Sequence, residues 1–173
     1  MFKGMRYIRF FILIVTLVFN SGFSYTAQTK GSGRSSCEVQ IDKVILFARS
    51  KLGCPYEWGG SGPRTYDCSG LVNSAFRHVG IELTRTTSTM CEEGEHVNLF
   101  NIKKGDIVFF LSGDPGDKHI SHVGIAITDY NYKKKDFKFI HASAGNGCVC
   151  ISRFTDSNYQ TTYGGARRII RCD

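Results

Sequence analysis

The chain has 173 residues, which suits one domain built around a single core. Hydrophobic residues make up 42% of the sequence, aromatic residues 13% and charged residues 21%, and this composition excludes a disordered protein. The formal net charge is +7, but no dense basic run alternates with aromatic residues, so we expect no nucleic-acid partner.

The amino terminus has the layout of a secretory signal. Basic residues lie within the first nine positions, an apolar run follows at residues 10–19, and small polar residues come next. A membrane span needs about 20 apolar residues, so this run is short for one. We therefore interpret residues 1–27 as a signal peptide, cut after Ser24 or Ala27, and expect an exported protein of the periplasm or cell envelope. The alternatives are an uncleaved anchor and a buried amino-terminal helix.

The rest of the chain divides into a lead-in and one domain. Residues 28–36 are polar and glycine-rich, which is typical of a flexible segment. Apolar residues then recur at three- and four-residue steps, which predicts helices over residues 39–52 and 68–79, each followed by a glycine. Short runs of β-branched and aromatic residues, separated by turn residues, predict five strands at 106–111, 122–128, 137–141, 149–154 and 163–170. Helices followed by strands indicate an α+β fold with a largely antiparallel sheet.

A candidate nucleophile lies where the second predicted helix begins. Cys68, within Asp67-Cys-Ser-Gly70, would feel the positive end of the helix dipole and the free backbone N–H groups of the first turn. Both favour the thiolate, which is the form that attacks. A cysteine on an apolar helix face is more often a packed core residue, so the assignment depends on finding a partner.

Two histidines supply that partner. His122 opens a strand that is otherwise almost entirely apolar, and its imidazole can exchange a proton with a thiol at the helix start. His141 lies in the next predicted strand and would hydrogen-bond the far nitrogen of His122, which fixes its tautomer and tilt. A single histidine is more often structural, and we place three others in that class: His78, His96 and His119.

A zinc site is a competing hypothesis. His119-x-x-His122 and Cys148-x-Cys150 contain residue types that bind zinc. Their spacing is poor for a structural zinc, and zinc binding by His122 would disable the catalytic pair. We therefore expect no metal and no other cofactor.

Five motifs follow one another along the chain: Tyr56-Glu-Trp-Gly-Gly60, Asp67-Cys-Ser-Gly-Leu-Val72, Lys104-Gly-Asp-Ile-Val-Phe-Phe110, Ser121-His-Val-Gly-Ile125 and Phe139-Ile-His-Ala142. In sequence and in order they resemble the motifs of the NlpC-type (NlpC/p60) cell-wall cysteine peptidases. The similarity covers about Val39 to Arg168. It implies that residues 37–173 form a papain-like peptidase domain that cuts γ-D-glutamyl–diamino acid bonds in the stem peptides of peptidoglycan.

The resemblance also implies roles for single residues. Cys68 is the nucleophile, His122 the base and His141 the orienting residue. Tyr56 lies beside the thiol, and its hydroxyl is a candidate to join the Cys68 N–H in binding the oxyanion.

Three further residues are expected to contact the substrate. Asp67 and Ser69 match positions that line the subsite for the amino end of the substrate, and Trp58 is interpreted as a wall of the cleft. The alternative for Trp58 is loop packing, and for Asp67 it is a helix cap worth about 1 kcal/mol. If its carboxylate is not occupied by capping, Asp67 would pair with a free α-amino group and favour stems already released from the glycan.

Some positions depart from the usual pattern of the family. Leu83-Thr-Arg-Thr-Thr87 stands where members often carry Leu-Pro-Arg-Thr-Ser, Met90 replaces a glutamine, and Cys54 replaces a threonine or similar residue. These changes leave the three catalytic residues intact, and we expect them to alter subsite preference.

Seven cysteines are present, and export would allow disulfides to persist. If Cys68 is the free one, the other six can form three bridges in fifteen possible pairings: Cys37, Cys54, Cys91, Cys148, Cys150 and Cys172. Some of the six are alternatively small buried apolar residues. Cys148 and Cys150 point the same way on a flat strand, so we expect them to have separate partners if they are oxidised.

Two other functions stay open. An amidase or an acyltransferase could use the same nucleophile on a different bond. A non-catalytic wall-binding module would keep the cleft but lose one of the three catalytic residues, and here all three are present.

Overall fold

The computed structural model describes residues 33–114 and 116–172. The predicted signal peptide, residues 1–27, lies outside this part of the chain, as does most of the predicted lead-in. From Arg34 onward the chain forms one compact unit. Within the described residues, no helix combines the length and apolar character that a membrane crossing requires.

The first helix, α1, spans Ser36–Arg49. Ser35 caps it, because its hydroxyl accepts from the Glu38 N–H while the Glu38 carboxylate accepts from the Ser35 N–H. The predicted lead-in 28–36 is therefore too long, since its last two residues form the helix start. The predicted apolar stripe is buried as far as Ala48, but the chain turns after Arg49 and leaves Leu52 46% exposed.

The remaining helices are shorter. α2 spans Cys68–Arg77, close to its predicted bounds, and α3 is a single turn at Thr87–Met90 that the sequence pattern did not predict. A turn of 3-10 helix lies at Leu99–Asn101.

Six strands form one sheet in which every neighbouring pair is antiparallel. Their order is β1-β6-β2-β3-β4-β5, with β1 at Glu95–Val97, β2 at Ile107–Leu111, β3 at Ile120–Ala126, β4 at Lys138–Ser143, β5 at Cys148–Arg153 and β6 at Tyr163–Arg168. The predicted α+β class, with helices on an antiparallel sheet, is confirmed. Only β1 was missed, because three residues, two of them exposed and polar, give no alternating pattern.

Apolar side chains cover both faces of the sheet. Along β4, Ile140 and Ala142 pack with α1 and α2, while Phe139 belongs to a second cluster that is largely aromatic. This alternation follows from the two-residue period of a strand. It also sends His141 to the aromatic side, where its ring lies 4.8 Å from the ring of Phe139 and 5.7 Å from that of Tyr159.

β3 and β4 pair over a short distance only. Their register joins Ile125 to Ile140 and Ala126 to Phe139, and the Ile127 N–H extends it by donating to the Lys138 carbonyl at 2.8 Å. Among the described residues, the pairing does not continue toward His122. Gly124 lies where the strands part, and a Cβ there would meet the Phe139 ring at 2.8 Å and the His141 Cβ at 3.2 Å. The missing side chain therefore lets the two strands approach closely just before they separate.

One disulfide is present. Cys37 in α1 is bonded to Cys172, with 5.5 Å between their Cα atoms, so the bridge ties the first helix to the end of the described chain. Of the alternatives that the sequence left open for the other six cysteines, the structure has this one bridge, and the five remaining cysteines, all of which the structure describes, are thiols.

Candidate active site

Cys68 is the first residue of α2 and is 6% exposed. Its Sγ lies 4.0 Å from the carbonyl oxygen of Ser121, at the amino-terminal end of β3. Burial raises the pKa of the Cys68 thiol, and the neighbouring Asp67 carboxylate raises it further. Backbone N–H groups at the helix start, including that of Ser69, lower the pKa as the sequence predicts, but burial outweighs them. The raised pKa favours the neutral thiol of Cys68.

His122 and His141 form a buried pair. His122 Nε2 lies 2.7 Å from His141 Nδ1, and the two rings meet edge to face with 4.9 Å between their centroids. Burial lowers the pKa of His122 to about 4. Burial, together with the charge of a protonated His122, lowers the pKa of His141 to about 3. Both imidazoles are therefore neutral at neutral pH, and His122 has Nδ1 left for the thiol.

Two cavities flank Cys68. The larger, of about 720 Å³, is lined by both Cys68 and His122, together with Tyr56, Trp58 and Tyr159. The smaller, of about 350 Å³, is lined by Cys68 and by several polar residues: Asp67, Ser69, Arg85, Thr86, Thr87 and Ser121. The thiol thus lies where two open spaces meet, which suits a substrate that extends on both sides of a scissile bond.

The two predicted aromatic residues lie at these cavities. Trp58 is 87% exposed and lines both of them. The pKa of Tyr56 is raised, because burial disfavours the phenolate and the negative charges of Cys68 and Asp67 add to this. Its hydroxyl therefore stays protonated and can donate a hydrogen bond.

The Asp67 carboxylate is fully engaged. One oxygen accepts from the Gly70 N–H at 2.6 Å, which caps α2, and the other accepts from the Gly59 N–H at 2.9 Å. Arg85 donates to both oxygens, at 3.0 and 2.6 Å, and also to Ser69 Oγ at 2.8 Å. Asp67 was expected to bind a substrate amine only if its carboxylate was not occupied by capping. The carboxylate is occupied, so this condition is not met.

Sequence reasoning did not identify two of the residues at this site. Arg85 appeared only within an altered motif, and nothing in the sequence pairs it with Asp67. Ser152 lies on β5, with its Oγ 3.0 Å from His141 Nε2. Ser152 lies within the predicted strand 149–154, but only the register of β4 and β5 shows which residue faces His141.

The zinc hypothesis finds no support in the geometry. His78, His96 and His119 are exposed and line neither cavity. Within residues 33–114 and 116–172, no three His, Cys, Asp or Glu side chains are grouped as metal ligands. The Nε2 atom of His122 is instead hydrogen-bonded to His141.

A cysteine at a helix start and a histidine on a neighbouring strand, within a helix-and-antiparallel-sheet fold, define a papain-like domain. The chain belongs to the NlpC/P60 family, whose model matches residues 53–168. This confirms the family that the five sequence motifs indicated.

Individual relatives agree with this placement. The chain is 37% identical to the murein DD-endopeptidase MepS/murein LD-carboxypeptidase of Escherichia coli over 119 residues, which cover 68% of this chain and 57% of that protein. It is 36% identical to a probable endopeptidase, an NlpC homologue of Haemophilus influenzae, over 80% of this chain and 68% of that protein. Identity to a γ-D-glutamyl-L-lysine dipeptidyl-peptidase of Bacillus cereus is 30%, over 75% of this chain and 36% of the relative.

Solved structures show the same fold. An NlpC/P60 family protein from Bacillus cereus superposes with a TM-score of 0.67 at 27% identity, covering 76% of this chain and 40% of that one. The peptidoglycan hydrolase RipB of Mycobacterium tuberculosis gives a TM-score of 0.63 at 27% identity, covering 80% of this chain and 69% of that one.

Proposed function

We propose that the protein is a peptidoglycan hydrolase, a cysteine endopeptidase that cuts γ-D-glutamyl–diamino acid bonds in stem peptides. The observation that carries the proposal is the placement of Cys68 between two cavities, one of which it shares with His122, itself held by His141. The names of the relatives support the substrate class, since they are described as murein and γ-D-glutamyl peptidases.

Acylation begins from the neutral pair. As Cys68 Sγ attacks the scissile carbonyl carbon, its proton passes to Nδ1 of His122, and the carbonyl π electrons move onto oxygen. The Cys68 N–H, at the free end of α2, and the Tyr56 hydroxyl are the donors that meet this oxyanion. His122, now imidazolium, gives its proton to the leaving amine of the diamino acid as the C–N bond breaks.

Deacylation repeats the sequence with water. His122 takes a proton from a water molecule that attacks the thioester carbonyl, and the thiolate leaves and is reprotonated. The exposed indole of Trp58, which lines both cavities, is placed to contact the stem on either side of the bond. Ser69 lines the smaller cavity, where it would meet the amino side of the substrate.

Digestion of purified peptidoglycan, followed by mass spectrometry of the products, tests the proposal. We expect products with a new γ-D-glutamyl carboxylate and a new amino group on the diamino acid. Cys68→Ala should abolish their formation, whereas Cys91→Ala, which removes a thiol that lines neither cavity, should not. Full activity of Cys68→Ala would refute the mechanism.

The same experiment separates the alternatives. An amidase would release intact stems from the glycan, and an acyltransferase would give products joined to an added amine acceptor. A wall-binding module would bind peptidoglycan without releasing any fragment. Cleavage between D-glutamate and the diamino acid rules out all three as the main activity.

Export by residues 1–27 is part of the proposal. Mass measurement of the protein recovered from the cell envelope should show an amino terminus near residue 25 or 28. An intact amino terminus would show that the segment is not a cleaved signal.

A further inference from the structure

His141 has a hydrogen-bond partner on each side. Its Nδ1 meets His122 Nε2 at 2.7 Å, and its Nε2 meets Ser152 Oγ at 3.0 Å. His141 is fully buried and Ser152 is 8% exposed, so bulk water competes little for these bonds. The three side chains form a continuous chain of contacts that begins beside the nucleophile and ends at β5.

The proton positions along this chain depend on one another. His122 can accept a proton from Cys68 only if its Nδ1 carries a lone pair, so neutral His122 must hold its hydrogen on Nε2. That hydrogen points at His141 Nδ1, which must therefore be an acceptor. Neutral His141 then holds its own hydrogen on Nε2, and this N–H needs an acceptor in a buried place.

We infer that Ser152 is a positioning residue, whose hydroxyl accepts the Nε2–H of His141 and so keeps Nδ1 of His122 free to receive the proton of Cys68. The inference rests on the proposed function, because it assigns Ser152 a part in the same proton transfer. Without this acceptor, the population of the other His141 tautomer, with its hydrogen on Nδ1, increases. That Nδ1–H donates to His122 Nε2, so the hydrogen of neutral His122 must then be on Nδ1. In that state His122 cannot act as a base toward the thiol.

Cys150 is the rival acceptor. Its Sγ lies 3.5 Å from His141 Nε2 and also receives a hydrogen bond from Asn146 Nδ2 at 3.3 Å. A thiol sulfur is a weaker acceptor than a hydroxyl oxygen, and this one is already shared. The serine is closer and more buried, so we assign the positioning role to Ser152.

Kinetics on a γ-D-glutamyl–diamino acid peptide test the consequence for catalysis. Ser152→Ala should lower kcat about tenfold with little change in KM, since a lost buried hydrogen bond of this kind corresponds to roughly such a factor. Ser152→Thr, which keeps a hydroxyl, should recover most of kcat, and Cys150→Ala should be near wild type. Ser74→Ala serves as a matched control, because it removes another buried hydroxyl, one that donates to the Ser61 carbonyl.

Nitrogen-15 NMR of the imidazole rings tests the tautomers without any substrate. In the wild-type protein, His122 and His141 should both carry their hydrogen on Nε2, and Ser152→Ala should shift His141 toward the Nδ1–H form. This readout stands even if the protein cuts another bond, so failure of the proposed function and failure of this inference are distinguishable.

Three results would overturn the inference. The first is a wild-type His141 that is protonated on Nδ1, which needs no variant to observe. The second is a Ser152→Ala protein with wild-type tautomers and wild-type kcat. The third is a loss of kcat in Cys150→Ala that Ser152→Ala does not show, which would assign the role to the sulfur.

Discussion

Replacing Arg85 by methionine should change which end groups the enzyme prefers on its substrate. In the wild-type protein the Asp67 carboxylate accepts hydrogen bonds from two backbone N–H groups and from Nη1 and Nη2 of Arg85, so its charge is neutralised and its oxygens are occupied. A substrate α-ammonium therefore gains little from this carboxylate. We expect the wild-type enzyme to cut a free L-Ala-γ-D-Glu-diamino acid peptide and its N-acetylated form at similar rates.

Methionine would remove the counter-charge and keep much of the packing volume. The α-amino group of the substrate, with a reference pKa of about 8, is a cation at neutral pH and can take the place of the guanidinium. A hydrogen bond to a charged group contributes about 1.5–3 kcal/mol of binding free energy. Because the Arg85 side chain is 42% exposed in its ion pair with Asp67, we use the lower end of this range for the bond between the substrate amine and Asp67. That corresponds to about a tenfold preference for the free peptide in Arg85→Met.

The assay compares kcat/KM for the two peptides by mass spectrometry. Arg85→Lys keeps a cation and should leave the ratio near that of the wild type. In the double variant Asp67→Asn with Arg85→Met, the preference should disappear, because no carboxylate remains to bind the amine. A strong preference for the free peptide in the wild-type enzyme, or an unchanged ratio in Arg85→Met, would refute the reasoning.

Three other predictions concern stability and covalent state. Gly124→Ala should destabilise the fold by about 1–3 kcal/mol, since the new methyl meets Phe139 and His141, whereas Gly145→Ala, with its nearest neighbour 3.9 Å away, should melt like the wild type. Stability should fall as the pH drops below about 6.5, because the unfolded chain then takes up a proton that native His122, with its pKa lowered to about 4, does not. The loss from His122 should continue to about pH 4 and be on the order of 3 kcal/mol, and native His141, with its pKa lowered to about 3, should add a loss of similar size over the same range. A flat melting profile between about pH 6.5 and 4 would contradict this. Denatured, unreduced protein should titrate five thiols and yield a peptide linked through Cys37 and Cys172, not three bridges.

The elements that the sequence predicted are those with a strong local pattern. The four buried positions of α1 and the apolar stripe of α2 follow a helical period, and β2, β3 and β4 are rich in β-branched and aromatic residues. The contact of His122 with His141 was also predicted, because His122 is the first residue of one predicted apolar strand and His141 is the last residue of the next. Local pattern is sufficient where an element buries a continuous face.

What the sequence could not predict are contacts between distant segments and the effects of burial. Arg85 reaches Asp67 across 18 positions, and Ser152 faces His141 only because of the β4–β5 register. The helix start alone favours a thiolate at Cys68, but the tertiary structure buries the thiol, and this reverses the direction in which its pKa moves.

The candidate active site lies next to the point where the pairing of β3 and β4 ends. The two strands pair at Ile125 and Ala126 and diverge toward Ser121, which lies at the end of β3 that pairs only with β2, and the carbonyl oxygen of Ser121 is 4.0 Å from the Cys68 sulfur. Gly124 is needed just inside the divergence, since it allows the strands to stay close enough for the two histidines to bond. The motif Ser121-His-Val-Gly-Ile125 therefore encodes one structural feature, the stretch of β3 in which pairing with β4 ends between His122 and Ile125.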